Sequence, residues 1–125
     1  MNLIFPQVCL QCLRTKEKLI FYSQGTGFFV DKNTFITNFH CVDGSDRLEF
    51  KIMGDEEIYK GAKIMKASEE YDLAIITTKQ DFPYLKIDSL GNEKLGSKIY
   101  AIGNPRGLEG TLSDGILSGK RDEKY

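Results

Sequence analysis

Few residues in this chain are equipped for chemistry. His40 is the only histidine among 125 residues. It lies in Thr37-Asn38-Phe39-His40-Cys41-Val42-Asp43-Gly44, after the alternating segment Phe35-Ile36-Thr37 and before the turn signal Asp43-Gly44. That context places it where a strand ends and a loop begins, a frequent location for reacting groups. Asp72 stands at the mouth of the apolar run Leu73-Ala74-Ile75-Ile76. An imidazole titrates near neutral pH, so it can take a proton from a hydroxyl and return it to a leaving group. A buried carboxylate on its other nitrogen would fix the tautomer and stabilise the imidazolium. His40 and Asp72, in that order at strand edges, are therefore candidates for two members of a His-Asp-Ser triad. A structural pair in a core is the plainer alternative.

Other motifs carry less. Cys9-x-x-Cys12 is a redox or zinc half-motif, but a zinc site would need two more ligands, and only the adjacent His40 and Cys41 remain to supply them. Buried small apolar side chains are the preferred reading of these cysteines. Gly103 to Gly110 lacks the Lys-Ser/Thr of a phosphate loop and leads into a strand, so it reads as a turn with Arg106 on its rim. No metal or cofactor is expected.

The totals bound the possibilities. At 125 residues, 41% hydrophobic and 28% charged, the chain is at most one domain with a proper core. A net charge of -1 with interspersed signs gives no long-range field toward nucleic acid or an anionic membrane. Three cysteines argue against a disulfide framework. No basic residue precedes Arg14 and Pro6 interrupts the short apolar start, a poor signal peptide, and no stretch has the length of a membrane span. The default expectation is a cytoplasmic protein, or an exported one if a signal was removed.

The elements that must position His40 and Asp72 read as strands. Residues 1 to 17 are open between a strand, with Val8, Leu10 and Cys12 alternating, and a short helix lined by Leu3, Val8 and Leu13. Leu19-Ile20-Phe21-Tyr22 and Gly27-Phe28-Phe29-Val30 are β-rich runs separated by Gly25-Thr26-Gly27, and Asp31-Lys32-Asn33 turns the chain into Thr34 to Thr37. Leu48, Phe50 and Ile52 alternate with polar neighbours, describing a strand with one wet face. Ile58 to Met65 alternates more loosely, and Leu73 to Thr78, nearly all apolar or β-branched, is expected as a central strand. Residues 81–95 read as a linker, followed by strands at Lys98-Ile99-Tyr100-Ala101-Ile102 and Thr111 to Ser118, with a charged tail from Lys120 to Tyr125. Short strands, Gly-rich turns and no convincing long helix predict an all-β barrel.

Five blocks then occur in one order: Gly25-Thr26-Gly27-Phe28-Phe29, Thr37-Asn38-Phe39-His40-Cys41-Val42, Tyr71-Asp72-Leu73-Ala74-Ile75, Tyr100 to Leu108, and Asp114-Gly115-Ile116-Leu117-Ser118. Together they resemble the trypsin-like serine proteases of the HtrA/Deg type. The resemblance spans roughly Gly25 to Arg121, and Ala101-Ile102-Gly103-Asn104-Pro105 is its most specific stretch. It implies two antiparallel barrels with an active site in the cleft between them. On that pattern residues 1–80 hold the first barrel, 81–95 the inter-barrel linker and 96–125 the start of the second barrel. His40 matches the general base and Asp72 the acid that orients it. The resemblance also leaves Cys41 open between a free thiol and a disulfide with an upstream cysteine.

One departure is large. The family carries its nucleophile in a Gly-x-Ser-Gly-Gly segment, together with the backbone donors of the oxyanion hole. Here the serines are Ser23, Ser45, Ser68, Ser89, Ser97, Ser113 and Ser118, and none has that context. The first expectation is thus the N-terminal part of a peptide-cleaving serine endopeptidase, inactive alone, with a polypeptide substrate for the longer parent. The second is a non-catalytic, protease-like binding module acting through protein contacts. Either way, self-association through exposed strands of the incomplete second barrel is expected.

Overall fold

The computed structural model describes residues 7–16, 19–87, 94–103 and 111–119. They form two compact units, Met1–Ile87 and Asp88–Tyr125. The first unit is a seven-stranded antiparallel sheet curled as a half-barrel. Its strands are β1 (Gln7–Lys16), β2 (Leu19–Asp31), β3 (Thr34–Thr37), β4 (Arg47–Ile52), β5 (Tyr59–Lys60), β6 (Lys63–Ser68) and β7 (Leu73–Thr77), with a one-turn helix α1 (Phe39–Val42) after β3. Their spatial order is β5-β4-β1-β2-β3-β7-β6. The all-β expectation holds.

From Gln7 to Lys16 the open choice at the N-terminus resolves as a strand; residues 1–6, with Leu3, and residue 17 lie outside the described residues. Val8, Leu10 and Cys12 are buried on one face of β1, and ten consecutive pairs tie it to β2, from Gln7 opposite Phe28 to Lys16 opposite Leu19. Two further boundaries differ from the sequence reading. Gly25-Thr26-Gly27 does not separate two runs, because β2 passes through it as a single 13-residue strand. These glycines serve close approach instead. A Cβ on Gly27 would lie 2.5 Å from the Ile36 carbonyl oxygen, and one on Gly25 would lie 2.6 Å from Cys41 Sγ. The Ile58–Met65 run splits into β5 and β6 at Gly61, whose φ of +83° is left-handed backbone that ends β5.

An aromatic cluster sits within a core otherwise built from aliphatic side chains and cysteines. Phe29 and Phe35, both fully buried, meet edge to face with centroids 5.4 Å apart, and Phe50 packs on Phe35 at 5.3 Å. Phe82 lies 4.8 Å from Phe29 and 4.9 Å from Tyr59. The segment read as the beginning of a linker is therefore bound to the first unit. Its backbone is tied too, since the Phe82 amide donates to the Lys32 carbonyl and the Leu85 amide to the Phe29 carbonyl. The run Leu73 to Thr77 lies one strand in from the sheet edge, between β3 and β6, with Ala74 and Ile76 on the core face.

The second unit contains β8 (Lys98–Gly103) paired antiparallel with β9 (Thr111–Ile116), from Lys98 opposite Ile116 to Gly103 opposite Thr111. Leu95, Ile99, Tyr100 and Ile116 are exposed on it. The Gly103–Gly110 turn, apart from Gly103, and the charged tail lie outside the described residues.

Phe29 touches Phe35, Phe50 and Phe82 at once, so its loss cannot be relieved by one neighbour moving. Phe29→Ala is expected to cost about 3–5 kcal/mol in urea unfolding of the first unit. A change below about 1 kcal/mol would show that the cluster is not the core.

Candidate functional site

Register brings the two chemistry-bearing residues together. At the end of β3, Thr37 pairs with Ala74 on β7. Antiparallel strands run apart by one residue each per step, so the residues just after Thr37 face those just before Leu73. Asn38 to His40 therefore meet Asp72. Thr37 is itself pinned, its hydroxyl donating to the Thr26 carbonyl at 2.7 Å.

The strand then turns into α1, which carries His40 in its first turn instead of on an extended loop. The first N–H groups of a helix lack partners within it. An Asn at the N-cap commonly accepts one of them, yet the Asn38 side chain makes no such bond. Asp72 supplies the acceptor from across the sheet. Its Oδ1 receives the His40 amide at 2.8 Å, and its Oδ2 lies 2.6 Å from His40 Nδ1. One carboxylate thus holds both the backbone and the imidazole of a single residue.

Asp72 reaches this position through an unusual backbone. It is the one non-glycine described residue with positive φ, at 53°. Asp tolerates the left-handed region better than most residues, though at a cost of order 1–3 kcal/mol when the surroundings enforce it. The turn that enforces it runs from Ser68, whose hydroxyl accepts the Tyr71 amide, to the Asp72 amide, which donates to the Glu69 carbonyl. From the other side, the Asn38 side-chain amide donates to the Asp72 carbonyl at 3.0 Å.

The electrostatics follow from these bonds. The His40 amide and then the imidazole stabilise the charged carboxylate and hold Asp72 below the ordinary carboxylate range against the opposing effect of desolvation, with lesser help from the imidazole's charge and the Phe39 amide. A carboxylate can only accept, so the proton between the two groups belongs on Nδ1, which leaves Nε2 with the basic lone pair. The carboxylate is not buried as the sequence reading supposed. Within the described residues the side chains of His40 and Asp72 are 70% and 43% exposed. The physical reason is the position of the site, on a turn and a short helix beyond the ends of β3 and β7.

Cys41 follows His40 but faces the other way, into the core against Gly25. Burial first, then the neighbouring Cys12 and Asp72, push its thiol pKa up, which makes it a poor nucleophile. The Ser23 hydroxyl donates to the Cys41 carbonyl at 3.2 Å. The Cys-x-x-Cys spacing fails on a strand, because residues three apart point to opposite faces. Cys12 is in the core and Cys9 is half-buried on the other side of β1. Sequence reasoning missed Asn38 and Gly25 as parts of the site. Their signals were an Asn two residues before the histidine and a glycine inside a strand pattern.

Known proteins resemble this chain over most of its length. A family model described as a trypsin-like peptidase domain matches residues 25–125. A probable periplasmic serine endoprotease DegP-like of Hahella chejuensis is 37% identical over 100 residues, covering 78% of this chain and 21% of the relative. Proteins of the same description from Chlamydia pneumoniae (35% identical over 99 residues, 78% and 20% covered) and Rickettsia conorii (32% over 100, 77% and 19%) are similar in the same way. The chain spans about a fifth of the length of these curated relatives.

The lowered Asp72 pKa fixes the sign of a pH effect. In the unfolded chain Asp72 binds its proton more tightly, so the stability from its bonds is present above the ordinary carboxylate value of about 4 and is lost as pH falls through the lower folded value. The stability difference between the parent and Asp72→Asn should therefore shrink as pH drops below about 4. A difference independent of pH from neutrality down to that range would contradict the assigned bonds.

Proposed function

Because this chain belongs to the trypsin-like peptidase family, we propose that it carries the base-and-orienter half of a serine endopeptidase, with His40 and Asp72 as its catalytic dyad. The observation that carries the reading is the double contact of Asp72 with the amide and the imidazole of His40. In the proposed reaction His40 Nε2 takes the proton of a serine hydroxyl as that oxygen attacks a peptide carbonyl. The imidazolium then gives the proton to the leaving amine, while Asp72, ionised throughout, holds Nδ1–H and offsets the positive charge.

The nucleophile is proposed to lie in sequence that these 125 residues do not contain. The reading is supported by the absence of a Gly-x-Ser-Gly-Gly segment here and by relatives about four times as long. On this reading the present chain alone does not cleave peptides, and a polypeptide is the substrate of the longer protein. The division into a first barrel (1–80), a linker (81–95) and an incomplete second barrel (96–125) belongs to the same proposal. So does self-association through β8 and β9, which sedimentation at high concentration would reveal and a clean monomer would contradict. The periplasmic description of the relatives supports an exported protein, and nothing found favours the cytoplasmic default.

The test uses the protein as its cell makes it, searched by mass spectrometry for peptides beyond Tyr125 and treated with a fluorophosphonate. The expected result is a longer species labelled on a serine outside residues 1–125, whose peptide cleavage falls about 10⁴-fold in Asp72→Asn. A native chain that ends at Tyr125 and takes no label would instead favour the non-catalytic binding module.

A further inference from the structure

We propose that Asn38 is a positioning residue for this dyad, acting through the Asp72 backbone to keep the His40 proton on Nδ1. The inference rests on reading His40 and Asp72 as a catalytic pair.

Asn38 and Asp72 exchange roles at the start of α1. Asn38 sits at the N-cap of α1 with extended backbone (φ −83°, ψ 142°), where an Asn side chain would ordinarily accept an N–H of the first turn. Here that acceptor is Asp72 Oδ1, and Asn38 turns its side chain outward to donate to the Asp72 carbonyl at 3.0 Å. The Asp72 carbonyl belongs to the peptide that joins a left-handed residue to the first residue of β7. Fixing that carbonyl fixes the peptide plane, and with it the direction in which Asp72 presents its Cβ. The surrounding turn constrains the other side through Glu69 and Ser68. Strained backbone persists only when neighbours over-determine it, and Asn38 supplies the contact from the His40 side.

The same three-residue segment therefore holds Asp72 at both ends. Asn38 grips its main chain and His40 takes its carboxylate. Without the Asn38 bond, Asp72 can relax toward ordinary backbone, and its Oδ2 leaves the 2.6 Å line to Nδ1. An N-cap acceptor such as Asp would fit the same space yet lose the donated N–H. The position thus requires a donor of that reach, which a capping role alone would not.

His40 being the sole histidine makes the test clean. Nitrogen-15 NMR of the imidazole, at a pH where it is neutral, reports which nitrogen bears the proton. The parent is expected to hold the Nδ1–H form predominantly. Asn38→Ala should lose that predominance while the amide spectrum of β1 to β7 stays in place. Asn38→Asp, which keeps the shape and removes the donor, should do the same and serves if the alanine variant folds poorly. A purely structural role for Asn38 would lower stability without moving the tautomer. Unchanged Nδ1–H predominance in a folded variant overturns the assignment of Asn38 and leaves the dyad standing. Predominant Nε2–H in the parent overturns the dyad itself, and this inference with it.

Discussion

The carboxylate of Asp72 engages two donors on one residue, and the geometry around His40 depends on that sharing. A bond to the imidazole alone would leave the ring free to swing about its Cα–Cβ and Cβ–Cγ bonds together with the turn that carries it. A bond to the amide alone would cap α1 and leave the tautomer open. With both oxygens occupied at 2.8 and 2.6 Å, backbone position and ring orientation are set by the same group. The arrangement also answers a local problem, since a single helical turn has more unsatisfied amides than internal bonds. A carboxylate beside those amides is favoured whether or not any chemistry follows.

Everything that places Asp72 opposite that turn comes from the sheet. The pairing of Thr37 with Ala74 sets the register, and a slip of one residue would turn Ala74 and Ile76 out of the core. Beneath the turn, Gly25 leaves the space in which Cys41 lies, so the residue after the histidine can pack on β2. Apolar packing of Phe29, Phe35 and Phe50 holds these strands together, and the exposed polar site stands at their end. The energetics and the chemistry thus sit in different parts of the unit, joined by β3 and β7.

Much of this was legible in the residues. The alternation of Leu48, Phe50 and Ile52 and the apolar run after Asp72 announced strands, because a pleated half-buried surface needs that period. His40 and Asp72 stood out by type and order. What was not legible depended on tertiary contact. Gly25-Thr26-Gly27 looks like a turn locally, and only the approach of Cys41 and Ile36 explains glycine within a continuous strand. Phe82 looked like part of a linker because Asp81 precedes it and Pro83 follows, yet its ring packs into an aromatic cluster formed far away in sequence. The role of Asn38 was hidden for the same reason. An Asn before a helix reads as a cap, and its actual acceptor is 34 residues distant.

Asp72 holds the His40 backbone as well as its ring, and hydrogen exchange of the His40 amide reads that bond itself. That amide donates to a side chain in the turn before β7, so its protection should depend on Asp72 alone. In the parent it should exchange slowly for an amide in a one-turn helix, and in Asp72→Ala it should exchange like an open one while β3 and β7 keep their protection. Equal exchange in the two proteins would mean that the carboxylate does not hold the turn, and the account of the site would fail at its first step.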